Sequence, residues 1–515
     1  MKTFLLLAYF VLPTSYFSLA QPKQEFRGVW VATVDNIDWP SKRNYNPDSQ
    51  RAEYIRLLDM HQRNGMNAVI VQVRPATDAF YPSPYEPWSE WLTGKQGKPP
   101  SPYYDPLEFM IEETHKRGME FHAWCNPYRA EFAIGKSSIA PTHITKVHPE
   151  WFLSYCTTRY FDPGNKDVQQ FVVKVIRDIV SRYDVDALHF DDYFYPYRIA
   201  GKEFPDQASF AKYGNGLDKD TWRRSNVDSI ILALSKMIKE EKPLCRFGIS
   251  PFGVWRNSTK DAEGSATTAG QTNYDDLYAD ILLWLREGWI DYITPQLYWE
   301  FGFKPAPFEV LLDWWSKHTY GRQCYIGLGI YRSGSNVAWR DKKQLPRMLQ
   351  AMRNTPNIDG AIYFSSKTFE KNPNGWNDSL RNNYYKEPAV TPWMPWIDTL
   401  MPWPPQVKAV MPMDTSLRMV VEKSPLEKRV ITSYKLYACY DENPFFNNFY
   451  NASLIETAPY TDVACALLAP LPANKKYVKF YVTAVDEDGN ESKPYQNWPL
   501  MTEAVKYENK IWVLK

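Results

Sequence analysis

The chain has 515 residues, too many for one ordinary domain and enough for two or three. Apolar residues make up 44% and charged residues 23%, close to the globular average, which excludes wholesale disorder. Sixty Lys and Arg against 59 Asp and Glu leave a net charge of +1, without the basic footprint of a protein that grips nucleic acid through its phosphates. The composition is unusual in its 20 Trp, 35 Tyr and 26 Phe. Aromatic rings stack on the flat C–H faces of sugars, so this count fits a carbohydrate site; large aromatic cores are the competing explanation.

The N-terminus carries an address. Met1-Lys2 is followed by an apolar run from Phe4 to Leu12, and Ser18-Leu19-Ala20 then places small residues two apart. This layout predicts a secretory signal peptide over residues 1–20, cleaved after Ala20. The run is too short to span a bilayer, and no later stretch predicts a membrane span, so an exported protein is expected. Cys125, Cys156, Cys245, Cys324, Cys439 and Cys465 contain no C-x-x-C spacing, which argues against a zinc or redox motif. The first, third and fourth of these, Cys125, Cys245 and Cys324, sit in or beside apolar runs and read as buried thiols; Cys439 and Cys465 share the C-terminal region and are a candidate disulfide.

From residue 26 onward, short β-rich runs alternate with helical stretches. The runs are Phe26–Val34, Ala68–Pro75, Phe121–Pro127, Ala187–Tyr193, Arg246–Gly253, Asp291–Trp299, Cys324–Tyr331 and Gly360–Ser366. Among the segments between them, Gln50–Asn64, Asp167–Tyr183 and Asn226–Glu240 place apolar residues at helical spacing. Strands alternating with helices mean parallel βαβ units, and eight such units predict an α/β fold, a (β/α)8 TIM-type barrel over residues 25–386. Residues 387–406 are rich in Pro and Trp, including Trp393, Trp396 and Trp403, and read as a linker pinned to the barrel by its tryptophans. Beyond it, Lys408–Pro412, Ser433–Tyr440 and Tyr477–Val485 look like short strands, the last ending in an Asp-Gly-Asn turn. Residues 407–515 are therefore expected to form a small all-β sandwich, and the run from Val482 to Ser492 resembles the end of a fibronectin type III domain.

In such barrels the site lies at the C-terminal ends of the strands. The residues there are Asp35, Asn36, Asp38 and Trp39; Gln72 and Arg74; His122, Trp124, Asn126 and Tyr128; His189, Asp191, Asp192 and Tyr193; Ser250 and Trp255; Gln296, Tyr298, Trp299 and Glu300; Tyr331 and Arg332; and Ser365 and Ser366. Eight polar and aromatic rims together favour a carbohydrate site, with Arg74, His122, Trp124, Asn126, His189, Tyr193, Tyr298 and Trp299 as substrate-binding candidates. The long insertion Tyr81–Asp105 is expected to rim the cleft.

The sharpest signal is His189-Phe190-Asp191-Asp192. Two acids at the end of a buried strand are costly unless paired, hydrogen-bonded or used. Glycoside hydrolysis commonly uses two carboxylates about 5 to 9.5 Å apart. Strand side chains alternate, so His189 and Asp191 are expected on one face, within reach of a mutual hydrogen bond, and Asp192 on the other. On that argument Asp191 is the primary catalytic candidate and its partner comes from another strand: Glu300 first, then Asp35, Asp38 and Asp192. No H-x-H or H-E-x-x-H cluster points to a metal, and no cofactor is expected.

Phe26-Arg27-Gly28-Val29-Trp30-Val31, Gln72-Val73-Arg74-Pro75, His189-Phe190-Asp191-Asp192-Tyr193-Phe194-Tyr195-Pro196 and Pro295-Gln296-Leu297-Tyr298-Trp299 resemble motifs of the glycosyl-hydrolase-like family 10 domain of bacterial secreted proteins. The resemblance implies a barrel related to sugar hydrolases, with some members similar to peptidoglycan glycosidases acting on glycan strands stripped of peptides. Of the residue roles, that of Asp191 is the one carried over. The expectation is a secreted glycosidase acting on a polysaccharide or oligosaccharide. Its rivals are a hydrolase of neutral or capsular polysaccharides and a catalytically silent carbohydrate-binding barrel.

Overall fold

The computed structural model describes residues 22 and 24–397, and beyond them 401–413, 416–441, 453–461, 464–470, 477–487, 490–494, 505–508 and 511–513. The expected signal peptide lies outside the described residues. Among the described residues no helix is long and apolar enough to cross a membrane.

Eight parallel strands close into a barrel: β1 (Phe26–Val31), β2 (Ala68–Arg74), β3 (Glu120–Cys125), β4 (Ala187–Phe190), β5 (Arg246–Ile249), β6 (Tyr292–Ile293), β7 (Gln323–Leu328) and β8 (Gly360–Tyr363), with β8 paired to β1. Each falls on one of the expected runs. Alternation divides every strand. In β1, Phe26 and Trp30 face the barrel interior while Val29 and Val31 join the outer core under the helices. Each fully buried Val or Ile on that outer face contributes about 1.5–3 kcal/mol of transfer free energy. Gly248 on β5 is required by close approach: a Cβ there would fall 1.9 Å from the Tyr292 ring, which fills the interior.

The three expected helices form, over Pro47–Arg63, Lys166–Arg182 and Lys219–Glu241. Each starts at a short acidic or amide side chain that accepts a backbone N–H of the first turn: Asn46 from Ser49, Asn165 from Asp167 and Asp218 from Thr221. After β3 the chain makes an excursion, a small antiparallel sheet of Arg129–Glu131, Thr158–Phe161 and Phe152–Tyr155.

The Pro/Trp segment seals the opposite, N-terminal end of the barrel. Arg27 donates to the Glu387 carbonyl (2.8 Å), Gln323 to the Pro392 and Trp393 carbonyls (2.9 Å each), and Thr391 to Glu120 (2.7 Å). The Trp396 indole donates to Asp291 (3.0 Å), and Met394 packs into the interior cluster with Phe26 and Tyr325.

Beyond this strap lie two antiparallel sheets. One orders Gln406–Pro412, Ser416–Glu422 and Cys465–Pro470; the other orders Ser453–Pro459, Ile431–Asp441, Tyr477–Asp486, Val505–Glu508 and Ile511–Val513. Leu417, Met419 and Leu467 of the first share a core with Leu436, Phe480 and Val482 of the second. The Cys439–Cys465 disulfide is not formed. Cys465 is a free thiol in the core between the sheets, whereas Cys439 belongs to a separate cluster with Tyr437, Leu454 and Tyr481.

Candidate active site

The C-terminal rim of the barrel encloses a cavity of about 250 Å³. Trp30, Gln72, Trp124, Arg129, Asp191, Asp192, Tyr193, Ser250, Gln296, Tyr298, Tyr331 and Phe364 line it, with Ala32, Val34 and Ile37 on one side. Indole and phenol rings therefore surround two acids.

Strand pairing in β4 ends at Phe190, so Asp191 and Asp192 stand beyond the alternation that would send them to opposite faces. Both line the cavity, at 4% and 2% exposure. The expectation that they point apart is corrected on that ground. Covalent geometry caps the separation of two such neighbouring carboxyls at about 9 Å, a 3.8 Å Cα spacing plus two short side chains.

Their surroundings differ. Asp191 accepts from the Trp124 indole (3.1 Å) and from the Asn126 amide at both oxygens (3.1 Å each). Burial raises its carboxyl pKa; the Arg129 charge and these hydrogen bonds oppose the rise. Asp192 is pushed up to about 7, first by burial and second by the charge of Asp191, with hydrogen bonds from the Tyr197 hydroxyl and Gln296 acting against the shift.

His189 faces the interior as expected but lies beneath the cavity and does not bond Asp191. Its ring contacts the Trp30 indole (3.3 Å), Ser250 (3.0 Å) and Tyr292 (3.0 Å). An indole N–H only donates, so His189 Nε2 is an acceptor and Nδ1 carries the proton. The Tyr292 hydroxyl accepts it and donates to His122 Nδ1 (2.9 Å), whose Nε2 donates to Glu120 (3.0 Å). Burial holds both histidines below their ordinary pKa, His189 far below. His122 is thus part of this column and not of the cavity lining.

Arg74 is also withdrawn. It is fully buried, paired with Glu86 (2.5 Å), and donates to the Asn126 carbonyl (2.5 Å), fixing the chain that carries Asn126. Trp299 packs against Phe252 and Phe303 outside the cavity lining. Glu300 is likewise outside the lining; its two oxygens accept from Asn336 and the Trp339 indole (2.9 Å each), tying together the loops after β6 and β7. Asp38 bonds Ala32, Ser365 and Lys367, joining the ends of β1 and β8, and Asp35 sits beside Lys42 at the surface. No residue of Tyr81–Asp105 lines the cavity.

The structure thus brings Asp191, Asp192, Trp124, Tyr193 and Tyr298 to the cavity, with Asn126 directly behind Asp191. Phe364, at the end of the eighth expected run, joins them. Arg129 and Trp30 were not nominated. Trp30 follows from carrying the interior phase of β1 to the rim; Arg129 lies on the excursion after β3 and no local pattern announces it.

The sequence model of the family described as Glycosyl hydrolase-like 10 matches residues 25–344. Glycosyl hydrolase YngK of Bacillus subtilis is 44% identical over 498 residues, 95% of this chain and 96% of that protein. Glycosyl hydrolase DigH of Escherichia coli K12 is 38% identical over 378 residues, 68% of this chain and 85% of that protein. Among solved structures, the PgaB (BpsB) glycoside hydrolase domain of Bordetella bronchiseptica aligns with TM-score 0.43 and 14% identity, covering 70% of this chain and 98% of that one. The barrel assignment rests on the strand topology.

Proposed function

From the chain's membership of the glycosyl hydrolase-like 10 family, and hence its glycosidase-type activity, we propose that Asp191 and Asp192 are its catalytic pair and that it cleaves the glycan strands of peptidoglycan after their peptides have been removed. The observation that carries the pairing is two neighbouring carboxyls lining one cavity in unlike surroundings. Pairs of acids whose environments push their pKa values apart divide into acid and base. Asp192, pushed up to about 7, holds a proton near neutrality and donates it to the leaving oxygen. Asp191, steadied by Asn126, Trp124 and Arg129, is the ionised partner at the anomeric centre or its attacking water. Trp30, Trp124, Tyr193 and Tyr298 offer faces for sugar rings. The signal peptide expected over residues 1–20 fits export to the compartment where such strands lie.

The test is hydrolysis of peptide-free peptidoglycan strands by the chain from residue 21 to 515, with products read by mass spectrometry. Asp191→Asn and Asp192→Asn should each lower turnover by about 100-fold or more, the scale of a lost acid or base. Binding without cleavage by the unaltered chain establishes the silent barrel instead, and cleavage confined to neutral polysaccharides establishes the other rival.

A further inference from the structure

Arg129 differs from five other arginines of the barrel. Arg27, Arg74, Arg223, Arg246 and Arg353 each hold a carboxylate within ion-pair distance. Arg129 holds none among the described residues, and its guanidinium makes no hydrogen bond to any of them. It is nonetheless half-buried, lines the cavity, and lies over the rings of Tyr193 (5.0 Å) and Phe132 (5.6 Å). Its backbone is fixed from two sides: its N–H donates to Asn126 Oδ1 (2.7 Å), and its strand pairs with Tyr160.

An arginine serving only to keep Asp191 ionised would close on it. Here Trp124 and Asn126 occupy both oxygens of Asp191, and none of the five guanidinium donors of Arg129, a residue of the cavity lining, is taken by a described residue. The Tyr193 and Phe132 rings position the guanidinium without consuming its N–H donors, and a guanidinium with unspent donors is suited to bidentate carboxylate recognition.

We propose that Arg129 is a specificity residue that binds a carboxylate carried by the sugar seated beside Asp191. The inference rests on the glycosidase reading of this cavity and adds to it an anionic substrate. Two sugar chemistries supply such a group: a carboxylic acid on an ether-linked side chain, as in muramic acid once its peptide is gone, and the ring carboxylate of a uronic acid.

The test compares four oligosaccharides of matched length: a muramic-acid-containing one with free carboxyls, the same one with the carboxyls reduced to alcohols, a uronic-acid oligosaccharide, and the same one with its carboxyls reduced. Binding to the full chain carrying Asp192→Asn is read by calorimetry, and kcat and KM are read on the unaltered chain. One carboxylated probe should bind at least about tenfold more tightly than its neutral counterpart, the scale of a charge-assisted pair. Which one does so names the source. Arg129→Gln should erase that preference, mainly through KM, and Arg129→Lys should keep part of it. Equal binding of carboxylated and reduced probes overturns the inference, as does an Arg129→Gln chain that loses affinity for both alike. Neither result touches the glycosidase reading, which cleavage of peptide-free peptidoglycan strands by the unaltered chain tests separately.

Discussion

Asn126 donates its amide to both oxygens of Asp191, 3.1 Å to each, while its own carbonyl oxygen accepts the backbone N–H of Arg129 at 2.7 Å. One side chain therefore fixes the orientation of the carboxylate and the position of the excursion that carries Arg129. Replacing it by Asp removes both donors and places a like charge against Asp191. Asn126→Asp should lower kcat by about 10- to 100-fold and move the acid limb of the pH profile upward. A variant with near-normal kcat removes Asn126 from the mechanism.

The two carboxyls set opposite limbs of activity. Asp192 must be protonated to act as an acid, so turnover should fall as pH rises through about 7. Asp191 must be ionised, so turnover should also fall on the acid side. The residual activity of Asp192→Asn should lack the alkaline limb and keep the acid one. His189 contributes no limb, because burial keeps it neutral.

Asp192 also costs stability where it is ionised. Its folded-state pKa of about 7 lies above the ordinary 3.8, so the cost is absent below pH 4, grows between the two values and is complete above 7. The melting temperature of Asp192→Asn should therefore match that of the unaltered chain near pH 4 and exceed it near pH 8. An advantage that does not grow with pH contradicts this origin.

Glu300 is a tie between loops. Glu300→Gln leaves a single carbonyl oxygen to serve both Asn336 and the Trp339 indole. The change should lower thermal stability by about 1–3 kcal/mol and leave kcat within about threefold. A loss of turnover comparable to that of Asp191→Asn returns Glu300 to the chemistry.

The strap sets where the chain can be cut. A chain ending at 386 loses the contacts of Thr391, Met394 and Trp396 with the barrel floor, and should be insoluble or melt early. A chain ending at 397 keeps them and should fold and cleave short oligosaccharides. Inactivity of the longer truncation, once shown to be folded, assigns the C-terminal sheets a part in the site.

The eight strands were legible because parallel barrel strands are buried on both faces and leave apolar runs such as Ala68–Val71. The Asp191–Asp192 pair was legible as a cost, two acids where burial should be complete. Its geometry was not. Alternation holds only while the ladder holds, and β4 stops one residue before Asp191. Strand-end counting nominated Trp299 and Glu300, although regular pairing in β6 lasts two residues and ends at Ile293. Arg74 and His122 lie on true strands, but a polar residue inside a barrel can be spent on its neighbours, Glu86 for one and Tyr292 for the other. Arg129 depends on a loop path that no local periodicity encodes.

The polar column under the cavity has a direction. Trp30 can only give a hydrogen, so each link below it, through His189, Tyr292 and His122 to Glu120, is oriented the same way. Unlike a row of water molecules, which can run either way and is disordered for that reason, this row has one proton arrangement. Glu120, held ionised beside Arg246, can only accept, so the row is pinned at both ends in the same sense. In Trp30→Phe the carboxylate end alone should keep that sense, and nitrogen NMR should find His122 still protonated at Nε2; a changed tautomer would show that the indole end sets the order.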